Sequence, residues 1–188
     1  MPESTTALPT GTVTFLFTDI EGSTTHWDTH ADAMRPALAR HDTLLREAVE
    51  SNQGHVFKTI GDAFCAVFAT APDALTGSLA AQRALHAEPW EGIEGGVRVR
   101  MALHVGAAEA RDGDYFGPPL NRVARLLSIG HGGQTLLSQP VYELVRDHLP
   151  GGGDLRVLDR RRPRHRTGRP RTHGHRASRG HLTRASGT

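Results

Sequence analysis

Two aspartates stand where apolar runs give out. Asp19 ends the stretch containing Val13, Phe15, Leu16 and Phe17, and Gly22, Ser23 and Thr24 follow it at once. Asp62 follows Gly61 in the middle of HVFKTIGDAFCAVF. A carboxylate at a strand's end, beside the partnerless N–H groups that open a helix, can hold a divalent cation and the phosphates it carries. Two carboxylates brought together can share a pair of such ions, an arrangement that activates an attacking oxygen and stabilises a leaving phosphate. The two are 43 residues apart, so neighbouring strands would have to join them. Two unrelated turn aspartates, or a helix cap in the case of Asp19, would leave the same trace. His26 and His30 lie four apart without the glutamate of a zinc-protease helix and read as an exposed face. Cys65, the single cysteine, sits inside AFCAVF and reads as a buried free thiol.

The elements that must position these groups follow from periodicity. A buried strand leads to Asp19. Residues 23 to 51 carry Trp27, Met34, Leu38, Leu44, Leu45 and Val49 at mostly helical spacing, which predicts a long helix that Pro36 kinks or breaks. HVFKTIGDAFCAVF predicts a hairpin with its tip at Gly61-Asp62. An alanine-rich helix over 71–88 and a strand over 97–106 come next. A turn in GDYFG leads to a helix opened by Pro118 and Pro119. QTLLS and VYELVRDHL read as a further strand and helix. The order predicts an α+β fold, a ferredoxin-like βαββαβ core with extra C-terminal elements and helices packed on a mainly antiparallel sheet.

Composition divides the chain. Ten of its 22 basic residues fall between Arg160 and Thr188, where there is no acid, so the remainder is net acidic although the whole carries +2. The basic pI therefore belongs to the tail and does not make the body a nucleic-acid binder. The tail's apolar side chains are Ala177, Leu182 and Ala185, too few to offset ordering entropy, and disorder is expected there. No stretch has the apolar length of a membrane span, and MPESTTALPT has neither the basic nor the apolar region of a leader. A cytoplasmic protein without membrane contact is expected.

The stretches FTDIEGST, FKTIGDAFCAVF, VRMALHVG and DYFGPPLNRVARL, in this order and spacing, resemble the class III nucleotidyl cyclases, the adenylate and guanylate cyclases, of the soluble bacterial type. The resemblance covers residues 11–158, with 1–10 as an N-terminal extension and 159–188 as the basic tail. It implies that Asp19, Asp62 and the backbone carbonyl of Ile20 bind two Mg²⁺ or Mn²⁺ ions per active site, hard oxygen ligands suiting both metals. It implies that Asn121 orients the ribose and Arg125 neutralises the α-phosphoryl group in the transition state. These two lie four apart, on one helix face. Arg100 matches a residue that contacts the triphosphate. Lys58 and Asp114 match the purine-selecting positions. Adenine offers an acceptor at N1 and a donor at N6, which suit an ammonium and a carboxylate, whereas guanine reverses both. The implied reaction converts ATP to 3′,5′-cyclic AMP and pyrophosphate.

The resemblance also implies a head-to-tail homodimer. Each site would take Asp19, Asp62 and Arg100 from one subunit and Lys58, Asp114, Asn121 and Arg125 from the other. Two departures stand out. Ala102 replaces a common glycine, and after LRVL the family's final strand pair, with a basic residue for the triphosphate, gives way to the arginine-rich tail. A tail so rich in Arg, Gly, His, Pro and Thr is what a shifted reading frame of a GC-rich gene produces. The rival reading is a polybasic arm for nucleic acid or an anionic membrane, and Arg160, Arg161 and Arg162 would then be candidates for the missing basic residue. The alternative function is a cyclase-like dimerising module that binds nucleotide with little or no turnover.

Overall fold

Alternation along the first strand decides the layering. The computed structural model describes residues 8–148. In chain order its elements are β1 (Thr12–Ile20), α1 (Ser23–Glu50), β2 (Gly54–Ile60), β3 (Ala63–Phe68), α2 (Ala71–Ala87), β4 (Val99–Ala107), β5 (Glu109–Arg111), β6 (Asp114–Phe116), α3 (Pro118–Leu127), β7 (Thr135–Leu137) and α4 (Gln139–Val145). Successive side chains of a strand point to opposite faces. Leu16 and Ile20 of β1 enter one core, and Val13 and Phe15 enter another, with Phe17 packed against it. A strand buried on both faces belongs at the centre of a sheet. The order is β2-β3-β1-β4-β7, antiparallel throughout except for β4 with β7. This is the α+β architecture expected from the sequence.

Helices α1, α2 and α4 cover one face. Met34, Leu45 and Val49 from α1, Leu75, Ala81 and Leu85 from α2, and Val141 and Val145 from α4 close a core over Leu16, Phe64, Phe68, Met101 and Leu103. Helix α2 starts where the Thr70 hydroxyl accepts the Asp73 N–H, with a proline in the first turn, both favourable at a helix start. Helix α3 lies on the other face. Its Pro119, Val123 and Leu127, spaced by four, are buried, and Val123 and Leu127 pack with Phe15, Ala102 and Tyr115.

Two details differ from expectation. The long helix departs from helical geometry at His30 (φ −139°, ψ 40°), not at Pro36 itself. The proline's own clash would fall on the carbonyl of Asp32, four residues before it, so it does not account for the break at His30. The stretch read only as a turn is a small hairpin, β5 with β6, closed by Asp112 and Gly113, both at positive φ. An Asp-Gly pair suits a two-residue hairpin turn, which needs positive φ at both positions. The tail from Arg160 and most of the N-terminal extension lie outside the described residues. No helix among the described residues is long and apolar enough to cross a membrane.

Candidate active site

Strand parity places the candidate groups. Asp19 alternates with Ile20 and shares a face with Phe15 and Phe17, the face that carries α3. Arg100 lies directly opposite Asp19 on β4, on that same face. The guanidinium grips the carboxylate with two bonds, Nε to Oδ1 and Nη2 to Oδ2, the second at 2.8 Å. This bond to Asp19 raises the Arg100 pKa, so the arginine is fixed as a cation.

Asp62, at the tip of the β2–β3 hairpin, is tied to the end of β1. Its Oδ2 accepts the backbone N–H of Ile20 at 2.9 Å. The hairpin thereby brings together two acids that are distant in sequence. Helix α1 opens at Gly22 in the left-handed conformation (φ 70°) with no capping side chain, so Asp19 is not a helix cap. Among the described residues no group of three or more His, Cys, Asp or Glu gathers as a metal cluster. The groups expected from the sequence to hold metal, two carboxylates and a backbone carbonyl, are all hard oxygens, the chemistry that suits Mg²⁺ or Mn²⁺.

Lys58 and Asp114 form a second cluster within the same chain. The Lys58 Nζ donates to Asp114 Oδ2, and the Tyr115 backbone N–H donates to Asp114 Oδ1 at 2.8 Å. The pair reinforces its own charges. The bond to Asp114 raises the Lys58 pKa, and the bond from Lys58, helped by the Tyr115 N–H, lowers that of Asp114. Both would be ionised across the neutral range.

Asn121 and Arg125 lie on the exposed side of α3, opposite the stripe that packs on the sheet. Neither side chain makes a hydrogen bond or ion pair among the described residues. His26 and His30 are half-buried rather than fully exposed, with the His30 Nδ1 2.7 Å from the Thr29 hydroxyl. Cys65 is a free buried thiol, and burial pushes its pKa up to about 11, which leaves little thiolate at neutral pH.

Residues 5–154 match the family described as the adenylate and guanylate cyclase catalytic domain. The chain belongs to that family. Its cyclase domain is 39% identical over 154 residues to an uncharacterized protein of Mycobacterium tuberculosis, a match that covers 81% of this chain and 51% of that protein. The chain thus spans about half the length of that relative. It is also 32% identical to an adenylate cyclase of Schizosaccharomyces pombe over 73% of this chain and 10% of the yeast protein. Among solved structures, a Trypanosoma brucei adenylate cyclase in its monomeric state superposes with a TM-score of 0.67 at 28% identity, covering 76% of this chain and 80% of that one. An adenylate/guanylate cyclase/hydrolase from Silicibacter pomeroyi gives 0.66 at 27% identity, covering 73% and 81%.

Four residues inside the quoted stretches, to which the sequence reading gave no role, also stand at the site. Tyr115 is buried next to Asp114 in the chain, its N–H donating to that carboxylate, and Phe57 occupies a register break in β2. Apolar side chains flank both clusters at the surface, with Ile60 61% exposed beside the Gly61-Asp62 tip and Phe116 42% exposed two residues from Asp114. No sequence signal marks a register break, which depends on what the partner strand presents.

Proposed function

We propose that this cyclase domain makes 3′,5′-cyclic AMP and pyrophosphate from ATP, at two equivalent sites between the subunits of a head-to-tail homodimer. The carrying observation is the hydrogen bond from the Ile20 N–H to Asp62, which gathers the two carboxylates at one end of the sheet. Asp19, Asp62 and the Ile20 carbonyl would hold two divalent cations per site. Bound there, these ions would supply activation of the ribose 3′-hydroxyl and neutralise charge on the triphosphate.

The chain's own groups do the rest. Asn121 orients the ribose so that the 3′-oxygen lies in line with the α-phosphorus, and Arg125 offsets the charge that grows on the α-phosphoryl oxygens. A bond forms from the 3′-oxygen to the α-phosphorus as the bond to the pyrophosphate oxygen breaks, and the hydroxyl proton is released. Lys58 donates to adenine N1 and Asp114 accepts from N6. Guanine would leave both groups facing like partners, and a site built to hydrogen-bond one ligand rejects the other strongly. Arg100 contacts the triphosphate from the Asp19 side.

The dimer reading is supported by the outward placement of Asn121 and Arg125 and by apolar Ile60 and Phe116 beside both clusters, since interface cores are richer in apolar and aromatic residues than other surface. The test is cyclic-nucleotide formation from ATP and from GTP with Mg²⁺ or Mn²⁺, together with a mixture of Asp19→Ala and Arg125→Ala proteins. Each variant alone spoils both sites of its homodimer. In the mixture, heterodimers have one intact site, so activity returns. A folded wild-type dimer that makes no product would favour the nucleotide-binding module, and a mixture as dead as its parts would overturn the shared site.

A further inference from the structure

Strands β2 and β3 pair regularly at both ends and lose register between. Val56 stands opposite Ala66 and Lys58 opposite Cys65, so Phe57 is an extra residue, a β-bulge. Regular pairing would alternate faces, whereas a bulge lets successive side chains share one. Val56 turns to the helix-covered core, while Phe57 packs into the core under α3 and Lys58 shares the face of Cys65. The bulge is confined between two fixed halves. Gly54 lies so close to Phe68 that a Cβ there would collide with the ring, and the tip at Gly61-Asp62 sets Ile60 opposite Ala63.

On that face Phe57 meets Tyr115 edge to face, with ring centroids 5.0 Å apart, and both rings meet Phe15, at 6.1 and 5.2 Å. Each ring is the sequence neighbour of one member of the charged pair, since Phe57 precedes Lys58 and Tyr115 follows Asp114. Tyr115 is almost wholly buried, and its hydroxyl donates to the Pro9 carbonyl at 2.6 Å. Among the described residues its strand β6 pairs only with three-residue β5, and a two-stranded ribbon so short does not hold itself in place. Packing against the ring of Phe57 gives it an anchor on the main sheet.

We infer that the Phe57–Tyr115 ring contact holds Lys58 against Asp114, which makes Phe57 and Tyr115 positioning residues for base selection. This rests on the reading of Lys58 and Asp114 as the groups that contact the purine. A lysine on a flexible stem discriminates poorly unless its surroundings fix where its charge lies. Two rings packed edge to face supply that fixing, since they set the separation of the strands that carry the pair.

The chain has a single lysine among its 188 residues. Reductive methylation with ¹³C-formaldehyde therefore labels Lys58 and the N-terminal amine alone, and the titration of Lys58 can be followed by NMR in the full chain without substrate. Asp114→Asn should lower its midpoint. Phe57→Leu and Tyr115→Leu should lower it by the same amount, while Tyr115→Phe, which keeps the ring, should retain it. In parallel, the ratio of kcat/KM for ATP over GTP should fall about tenfold in the two Leu variants. Phe57→Leu should add nothing to Lys58→Ala, because residues acting through one contact are not additive. Either Leu variant melting cooperatively yet titrating like the wild type would overturn the inference. A lowered midpoint beside a Lys58→Ala protein with an unchanged ATP/GTP ratio would keep the ring contact and overturn base selection by Lys58.

Discussion

One carboxylate at this site has two jobs that substitution can separate. Asp62 accepts the Ile20 N–H through one oxygen, and its charge is what a cation would require. Asp62→Asn keeps an oxygen acceptor and removes the charge. Cyclase activity should fall by about 10²-fold or more, with a melting temperature close to that of the wild type. Asp62→Ala also loses the bond, at roughly 1 kcal/mol. For a chain of this length that is a drop of about 2–4 °C, measurable by circular dichroism. Asp19 and Asp62 were legible in the sequence because each ends a local apolar pattern. The partners of the charged groups were not. Arg100 reaches Asp19 across 81 residues and Lys58 reaches Asp114 across 56, and such pairings follow from register and packing that no local window contains.

At the scale of elements, the position of α3 matters most to the proposed chemistry, because Asn121 and Arg125 ride on it. It approaches β4 over Gly106, where an added Cβ would stand 2.7 Å from the Pro119 Cγ in the first turn of α3. Gly106→Ala must push the helix start away from the sheet. Misplacing reacting groups by a fraction of an ångström is costly, so kcat should fall by about tenfold or more while the melting temperature drops by only a few degrees. A mutant with full kcat would show that α3 tolerates the shift. The major elements were legible because their periods are unambiguous. The hairpin tip is legible from Gly61-Asp62, whereas the similar Asp112-Gly113 signal is flanked by strands of three residues each, too short to show alternation. The break at His30 lies six residues before Pro36, beyond the reach of the proline's clash with the carbonyl four residues back, and no local pattern marks it.

For the whole molecule, two buried histidines set a dependence on pH. His41 is fully buried, and its Nδ1 lies 2.8 Å from the Asp42 Oδ1; a carboxylate only accepts, so Nδ1 carries the proton. Its Nε2 has no partner among the described residues, nor has that of His104, whose Nδ1 faces the Ser138 hydroxyl. Protonation would strand an N–H⁺ in the core. Burial lowers both pKa values, against the pull of Asp42 on His41 and with the help of Arg122 on His104. In the unfolded chain both titrate near about 6.5. Below that value the unfolded state binds more protons than the native state, so this part of the stability is complete above about pH 6.5 and is lost as pH falls through it. Melting temperatures should decline from about pH 7 to 5, and His104→Gln should flatten the slope. A wild-type melt independent of pH across this range would exclude the effect.

Strand β1, central in the sheet and buried on both faces, carries Asp19, whereas Lys58 sits on edge strand β2 and Asp114 on a ribbon outside the main sheet. Amide hydrogens of β1 should exchange only with global unfolding, and those of β5 and β6 through local opening. Heat and denaturant would then reach the two halves of the proposed site in sequence. In a urea series, preference for ATP over GTP should decay at concentrations that still leave cyclisation measurable. Fidelity would be this domain's most perishable property, and the capacity for the reaction its most durable.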